Sequence, residues 1–469
     1  MLWSLARWYN AGEVKYEEFI KLILLTVIYF LLIASYTLVH SIKDSIFMGI
    51  VGREYIPYAK MASMLVLIPP VLFYSYLVDM VRRYQLLAFC SGIFGILGMV
   101  FVYFIGHPSI GLINTDSSPY RLFGWLFYFF VEGYSPFLVS VFWAFSNSVY
   151  NPESAKKNYA FMVAGSKLGG ILASGVGLFV LSLTNYHGER LFSDSFNHQM
   201  LVGLSSTLIF VVTILIFVLI RVVPDKYLHG YEEAYQFEKK QKEKKEEQVN
   251  MLWSGLISIW SGLKMFFKLP YLLGIFGMLF FYEVINTILS YLRLSLAERY
   301  SSDVSGLSQF LFWQFFLMHF FGFFISLLGT KTFLHRFGLR YCLLLIPILS
   351  AVLVSYFMFT YTAFSLSATF IALRSLHYAF SLPIRESLYI PTVKDVKFKS
   401  KSWIDAFGSK LAKTFGSIFN IIGNLLPIAL FFPVHMVFFG IIIILWFLNA
   451  YVTGKRFERA IKNNEVIGA

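Results

Sequence analysis

Charge is what this sequence has least of. Only 14% of its 469 residues are charged, against 58% hydrophobic and 19% aromatic. Soluble domains carry roughly a quarter charged residues, so a soluble enzyme or nucleic-acid-binding protein is excluded. The net charge of +13 reads instead as lysine and arginine retained in cytoplasmic loops. Cysteine is nearly absent. Cys90 and Cys342 both fall in apolar segments, with neither metal-ligand spacing nor a disulfide framework. There is no P-loop and no Gly-x-Ser-x-Gly, and the nine histidines are dispersed, which makes a membrane enzyme the weakest of the remaining classes. Ten-residue alternating segments are also missing, which excludes a transmembrane β-barrel.

What remains is a series of long apolar runs, each long enough to span a bilayer as a helix. They predict helices near 19–42, 57–80, 85–105, 121–147, 159–184 and 200–222. A second set follows near 269–292, 305–329, 341–361, 364–389, 403–430 and 433–453. The chain thus divides into an N-terminal half (1–223), a charged linker (224–252) and a C-terminal half (253–469). The linker mixes Glu232, Glu233, Glu238, Lys239, Lys240, Glu246 and Glu247, a solvated pattern with no specific anionic partner implied. Met1 to Glu18 has the composition of neither a cleavable signal nor a transit peptide. Basic residues cluster at Arg82–Arg83, Lys156–Lys157, the linker, Lys331–Arg340, Lys394–Lys401 and Lys455–Lys462. Placing these on one side puts both termini and the linker in the cytoplasm.

The halves echo one another. Ser148-Val149-Tyr150-Asn151-Pro152 parallels Ser387-Leu388-Tyr389-Ile390-Pro391, and Gly165-Ser166-Lys167-Leu168 parallels Gly408-Ser409-Lys410-Leu411. Six helices per half, an even number, give both halves the same orientation. The expected fold is therefore an all-α membrane protein of twelve transmembrane helices in two parallel six-helix halves, major-facilitator-like, with the substrate path between them. The glycines from Gly165 to Gly177 read as small-residue helix packing, not as a phosphate loop.

Ionisable residues within the runs are the candidate site. Glu132 and Glu283 lie deep in the fourth and seventh helices, and Lys167, Lys410 and Lys413 lie two to three turns inside the fifth and eleventh. Lys43 and Asp44 sit at the outer end of the first. Such groups are costly against lipid and by default face a protein interior or a water-filled path. The bland alternatives are internal ion pairs that hold the bundle together and lysines that snorkel to an interface; the two glutamates lie too deep to reach water in that way. Several lysines with two acids suit an anionic, multiply charged solute, the glutamates balancing the lysines when the site is empty. Lys413 is expected to pair with Glu132 or Glu283 in that state.

These residues resemble the ATP/ADP translocase (nucleotide transport protein) family of obligate intracellular bacteria and plastids, itself related to major facilitator transporters. The match is carried by Lys43-Asp44 with Gly52-Arg53-Glu54-Tyr55-Ile56-Pro57-Tyr58-Ala59-Lys60, and by Glu132 with Phe142-Trp143-Ala144-Phe145-Ser146-Asn147. Glu283-Val284 and the stretch from Arg385 to Gly416 complete it. The resemblance implies a transporter, not an enzyme, with no cofactor, working at the bacterial inner membrane on a nucleotide or related phosphorylated metabolite. It implies transport roles for Lys43, Glu132, Glu283 and Lys413. The expected partners are the substrate and the lipid bilayer, with no nucleic acid, and the expected state is a monomer. The chain departs from the family's ATP/ADP exchangers in having no lysine from Val284 to Leu292. A proton-coupled carrier of another anionic metabolite and a lipid flippase are the alternatives.

Overall fold

The computed structural model describes residues 16–70, 77, 81–150, 152–187, 189–224, 268–301, 303–326, 330–389, 391–392, 404–463 and 465–468. Most of the linker and the Lys394–Lys401 loop lie outside the described residues. All regular elements are helical: α1 (Tyr16–Ile50), α2 (Ile56–Val66), α3 (Arg83–Ile105), α4 (Leu122–Tyr134), α5 (Ser140–Val149), α6 (Pro152–Ser182), α7 (Asp194–Val222), α8 (Pro270–Tyr300), α9 (Val304–Phe324), α10 (Thr330–Thr360), α11 (Ala363–Leu376), α12 (Leu382–Ser387), α13 (Ser409–Leu425) and α14 (Ile428–Lys462). Some of their starts carry side-chain caps. Asp303 accepts from the Gly306 amide at 2.8 Å, and Thr362 and Ser365 form a reciprocal capping box before α11.

Among the described residues, nine helices are long and apolar enough to cross a membrane, where the sequence pattern predicts twelve spans. The second, tenth and eleventh predicted spans fall outside the nine. The second contains the 11-residue α2, and most of 71–80 is not described. The tenth is interrupted by a π-turn at His377–Ser381 and carries Arg374 and Arg385. The eleventh is represented by the 17 residues of α13, which include Lys410, Lys413, Asn420 and Asn424.

Several predicted boundaries also move. α1 continues to Ile50, so Lys43 and Asp44 sit two turns inside a helix, not at its end. α13 stops at Leu425, because Leu426 precedes Pro427 and takes an extended backbone (φ −74, ψ 141). The last helix then begins at Ile428 and runs on to Lys462. π-turns lie at Ser135–Val139, between α4 and α5, at His377–Ser381, between α11 and α12, and at Ile404–Gly408, just before α13. Each widens the helix by one residue per turn and re-aims the side chains around it.

The helices form two compact units, Met1–Ile46 with Pro70–Thr115 and Leu126–Met251, and Phe47–Pro69 with Asp116–Trp125 and Leu252–Ala469. In the first unit α3 and α7 approach closely through small residues. A Cβ at Gly98 would lie 2.1 Å from the Ser206 hydroxyl, and one at Gly95 would lie 2.9 Å from the Phe210 ring. α6 comes down on α1 in the same way, Gly169 over the Phe30 carbonyl and Gly165 over Thr26. In the second unit α8 is central. Its Leu272, Ile275, Ile285 and Ile288 join one apolar core with Leu343, Phe370, Phe439 and Trp446. α13 lies along it, with Gly416 against Thr287 and the Val284 carbonyl. α2 comes from the N-terminal part of the chain yet packs on α13 within this unit.

Candidate functional site

In the first unit three ionisable side chains meet. The Lys43 ammonium donates to Glu132 Oε1 at 3.0 Å and lies 3.2 Å from Asp44 Oδ1. It also sits 3.8 Å from the centroid of the Tyr128 ring. Tyr128 and Glu132 are four residues apart on α4, so both project from one face toward α1. The side chains of Lys43, Asp44 and Glu132 are 3%, 7% and 14% exposed. Burial this deep strengthens the attraction and makes loss of either partner costly. The ring face adds a cation–π contact.

In the second unit Glu283, on α8, accepts from Ser409 at Oε1 (3.3 Å) and from Asn286 at Oε2 (3.4 Å). Lys410, the next residue on α13, turns to α2 and donates to the Ser63 hydroxyl at 3.3 Å. Thr414, one turn on, meets Met64 of the same helix. Lys413 is half-buried. Helical register sets it between the stripe that faces α8 (Ser409, Gly416, Asn420) and the stripe that faces α2 (Lys410, Thr414). Lys167, also half-buried, lies on α6 in the first unit.

The predicted residues are thus divided between the units, Lys43, Glu132 and Lys167 in one and Glu283, Lys410 and Lys413 in the other. Glu132, one of the two carboxylates expected to pair with Lys413, accepts from Lys43, eighty-nine residues away in sequence. Asp44 enters the site with it.

Arginines are the residues the sequence reading missed. Arg293 follows directly after the lysine-free stretch of α8. It is buried, donates to Gln314 at 2.8 Å and lies 4.0 Å from the Phe370 centroid, while Gln314 in turn donates to Ser367 at 3.0 Å. Arg374 lies 5.3 Å from both Phe370 and Phe315 and donates to Tyr378. Beside it, the His377 ring stacks on Tyr282 with centroids 3.5 Å apart. Arg385 pairs with Asp405 of the last π-turn at 2.9 Å. Arg53 bonds Glu298 at 2.7 Å, contacts Ser295 and lies 5.7 Å from the Tyr291 ring. Tyr291 itself receives the Asn424 amide at 2.7 Å. The available signal was an arginine inside an apolar helix with an aromatic residue three or four positions away, as at Arg374, Phe370 and Tyr378.

Residues 120–382 match the TLC ATP/ADP transporter family. ADP,ATP carrier protein 3 of Rickettsia bellii is 24% identical over 482 aligned residues, covering 90% of this chain and 91% of that protein. ADP,ATP carrier protein 3 of Rickettsia conorii is 29% identical over 178 residues, 34% of this chain and 35% of that one. Among solved structures, a D-xylose-proton symporter superposes with a TM-score of 0.61 at 12% identity, covering 93% of this chain and 96% of its own. The nucleoside transporter NupG superposes at 0.53 with 14% identity, covering 94% and 99%. These likenesses give the fold, an all-α multi-spanning membrane architecture like that of the major facilitator transporters. These proteins are carriers or transporters, and this chain is a transport protein, not an enzyme. With a family match across more than half its length, the chain belongs to the TLC ATP/ADP transporter family.

Proposed function

We propose that this transporter works by alternating access and carries a nucleotide, or a closely related phosphorylated metabolite, across the bacterial inner membrane. In this reading it spans the membrane twelve times, in two six-helix halves (1–223 and 253–469) joined by a cytoplasmic linker, and works as a monomer. The predicted fourth and tenth spans each contain a π-turn, which supports the repeat. The observation that carries the reading is the buried Lys43–Asp44–Glu132 cluster. A lysine is a compact cation suited to phosphate, and here two carboxylates lie beside it inside the fold. An arriving phosphate competes with those carboxylates for the ammonium. Lys167, Lys410 and Lys413 supply further positive charge, and Glu283 balances it in the second unit.

A carrier that can reorient only with its buried charges paired, and whose substrate supplies that pairing, favours exchange over net flux. The test is uptake of labelled nucleotides by the purified protein in liposomes, with and without internal nucleotide. Uptake stimulated by internal nucleotide is expected. Failure of every nucleoside di- and triphosphate to enter or to compete refutes the reading. The second reading, proton-coupled uptake of another anionic metabolite, is favoured by the two carboxylates that share Lys43, since a proton on either would also neutralise the cluster. In that case an uncoupler abolishes accumulation; undiminished accumulation removes it. The twelve-span topology requires tags at Gln241 and at the C-terminus to report cytoplasm, and a tag between Ser109 and Pro119 to report the opposite side.

A further inference from the structure

The stretch Phe142-Trp143-Ala144-Phe145-Ser146-Asn147 has no part in the charge cluster, yet it builds a distinct surface. On α5, Val141, Phe142, Phe145 and Val149 are buried. Ser140, Trp143, Ala144 and Asn147 form the opposite stripe, exposed or half-exposed, at the i, i+3, i+4, i+7 spacing of one helix face. A face turned to lipid is aliphatic and aromatic, as along the middle of α3, where Phe89, Ile93, Ile96, Leu97, Met99 and Val100 are exposed. A serine, an alanine and an asparagine around a tryptophan do not fit that environment, because an amide facing hydrocarbon is penalised.

Trp143 does not fit an interfacial anchor either. An anchoring indole points its N–H toward headgroups, whereas Trp143 Nε1 donates inward to the Tyr29 hydroxyl at 3.3 Å. Its aromatic neighbours Tyr29, Phe142 and Tyr159 all meet it edge-on, at interplanar angles of 70°, 72° and 71°. Among the described residues no ring lies parallel to it. Beneath, Tyr29 and Phe142 stack at 4.6 Å and 2°, which holds the indole rigid. Beside it, the Tyr159 hydroxyl donates to the Asn147 Oδ1, which orients the amide with its NH2 group available. The stacked pair Tyr282 and His377 of the second unit is unlike this: both rings are buried and already occupy each other's faces.

We propose that Trp143, with Tyr159 and Asn147, is a platform that stacks the base of the transported nucleotide. The inference rests on the nucleotide reading above and names the groups that would distinguish a nucleotide from a bare phosphate anion. A flat heterocycle can stack on an indole that the described rings meet only edge-on. Stacking accepts any base, and the Asn147 amide can hydrogen-bond a base edge. On α6, Lys167 lies eight residues beyond Tyr159, about 12 Å along the axis. The close approach of Gly165 and Gly169 to Thr26 and Phe30 seats α6 on α1. The phosphates of a nucleotide stacked on Trp143 would then extend toward Lys167.

The test uses the full-length protein in detergent, titrated with ATP and with inorganic triphosphate, reading tryptophan fluorescence and equilibrium binding of labelled ATP. ATP should quench the wild-type protein and inorganic triphosphate should not. Trp143→Phe should bind ATP within a few-fold of wild type yet lose most of the quench. Trp143→Leu should bind ATP about tenfold more weakly, the effect of one base–aromatic stack, with triphosphate affinity unchanged. Undiminished quenching in Trp143→Phe, or equal weakening of ATP and triphosphate in Trp143→Leu, overturns the platform and leaves the nucleotide reading standing. A wild-type protein that binds no nucleotide overturns both.

Discussion

Replacing Lys43 by methionine tests the charge cluster most directly. Methionine keeps the length and apolar stem of lysine but removes the ammonium, and with it the 3.0 Å contact to Glu132, the 3.2 Å contact to Asp44 and the cation–π contact to Tyr128. Two carboxylates are then left buried without their cation. Removing one partner of a buried pair costs about 3–5 kcal/mol, chiefly through the charge it strands. Glu132→Gln should cost less, because Asp44 still faces the ammonium and the glutamine carbonyl can still accept from it. In Lys43→Met/Glu132→Gln one of the stranded carboxylates is gone, so the double variant should be more stable than Lys43→Met alone. The coupling between the two sites should be about 1–3 kcal/mol.

Equilibrium unfolding in mixed micelles, with the four proteins compared in one detergent, reads the cycle. The reasoning fails if Lys43→Met lies within about 0.5 kcal/mol of wild type, which is the size of an ordinary surface substitution. It fails equally if the two single effects simply add, since independent sites do.

Gly169→Val should prevent accumulation of folded protein, because its Cβ would lie 2.4 Å from the Phe30 carbonyl, a backbone atom that cannot move aside; membrane-fraction yield and size-exclusion profile check this. Arg53→Gln should change stability by less than about 1 kcal/mol, since the side chains of Arg53 and Glu298 are 29% and 50% exposed and their pairing is screened; unfolding in the same micelles measures it. Lys413→Gln should weaken competition by di- and triphosphates about tenfold, as loss of one charge-assisted contact does, and leave nucleosides nearly unaffected; liposome uptake with competing ligands decides, and equal loss for both refutes a phosphate-facing lysine.

Most of the helical architecture is legible in the apolar runs, and the departures have local causes. Hydropathy marks where a chain leaves the bilayer, not where a helix ends. α14 therefore continues past the last predicted residue through Lys455, Arg456 and Arg459 to Lys462. In the other direction, Leu426-Pro427 breaks an apolar run that looks continuous, because proline disfavours helical geometry in the residue before it. The π-turns leave no trace in composition, since one extra residue per turn keeps every side chain apolar or polar as before. Pro136 and Pro383, within or just beyond two of them, are the only local hints.

The site was legible as a set of ionisable residues but not as a set of partners. Depth marks Glu132 and Glu283 and the family resemblance marks Lys43, yet nothing in the sequence couples Lys43 to a glutamate 89 residues away. That pairing depends on α1 running two turns past its predicted end, which the apolar Ile46, Phe47, Met48 and Ile50 permit. The arginines were missed for a different physical reason. A buried lysine, strongly hydrated in water, calls for a carboxylate or an equivalent partner, and a search for lysines near acids follows from that. A guanidinium is planar and weakly hydrated, and it can be satisfied by an amide on its edge and a ring on its face. Arg293 has both in Gln314 and Phe370, and Arg374 shares the same phenylalanine. The buried cations of the second unit therefore have to be sought beside aromatic residues as well as beside acids. In a chain that is 19% aromatic, that criterion singles out no residue until the helices are packed.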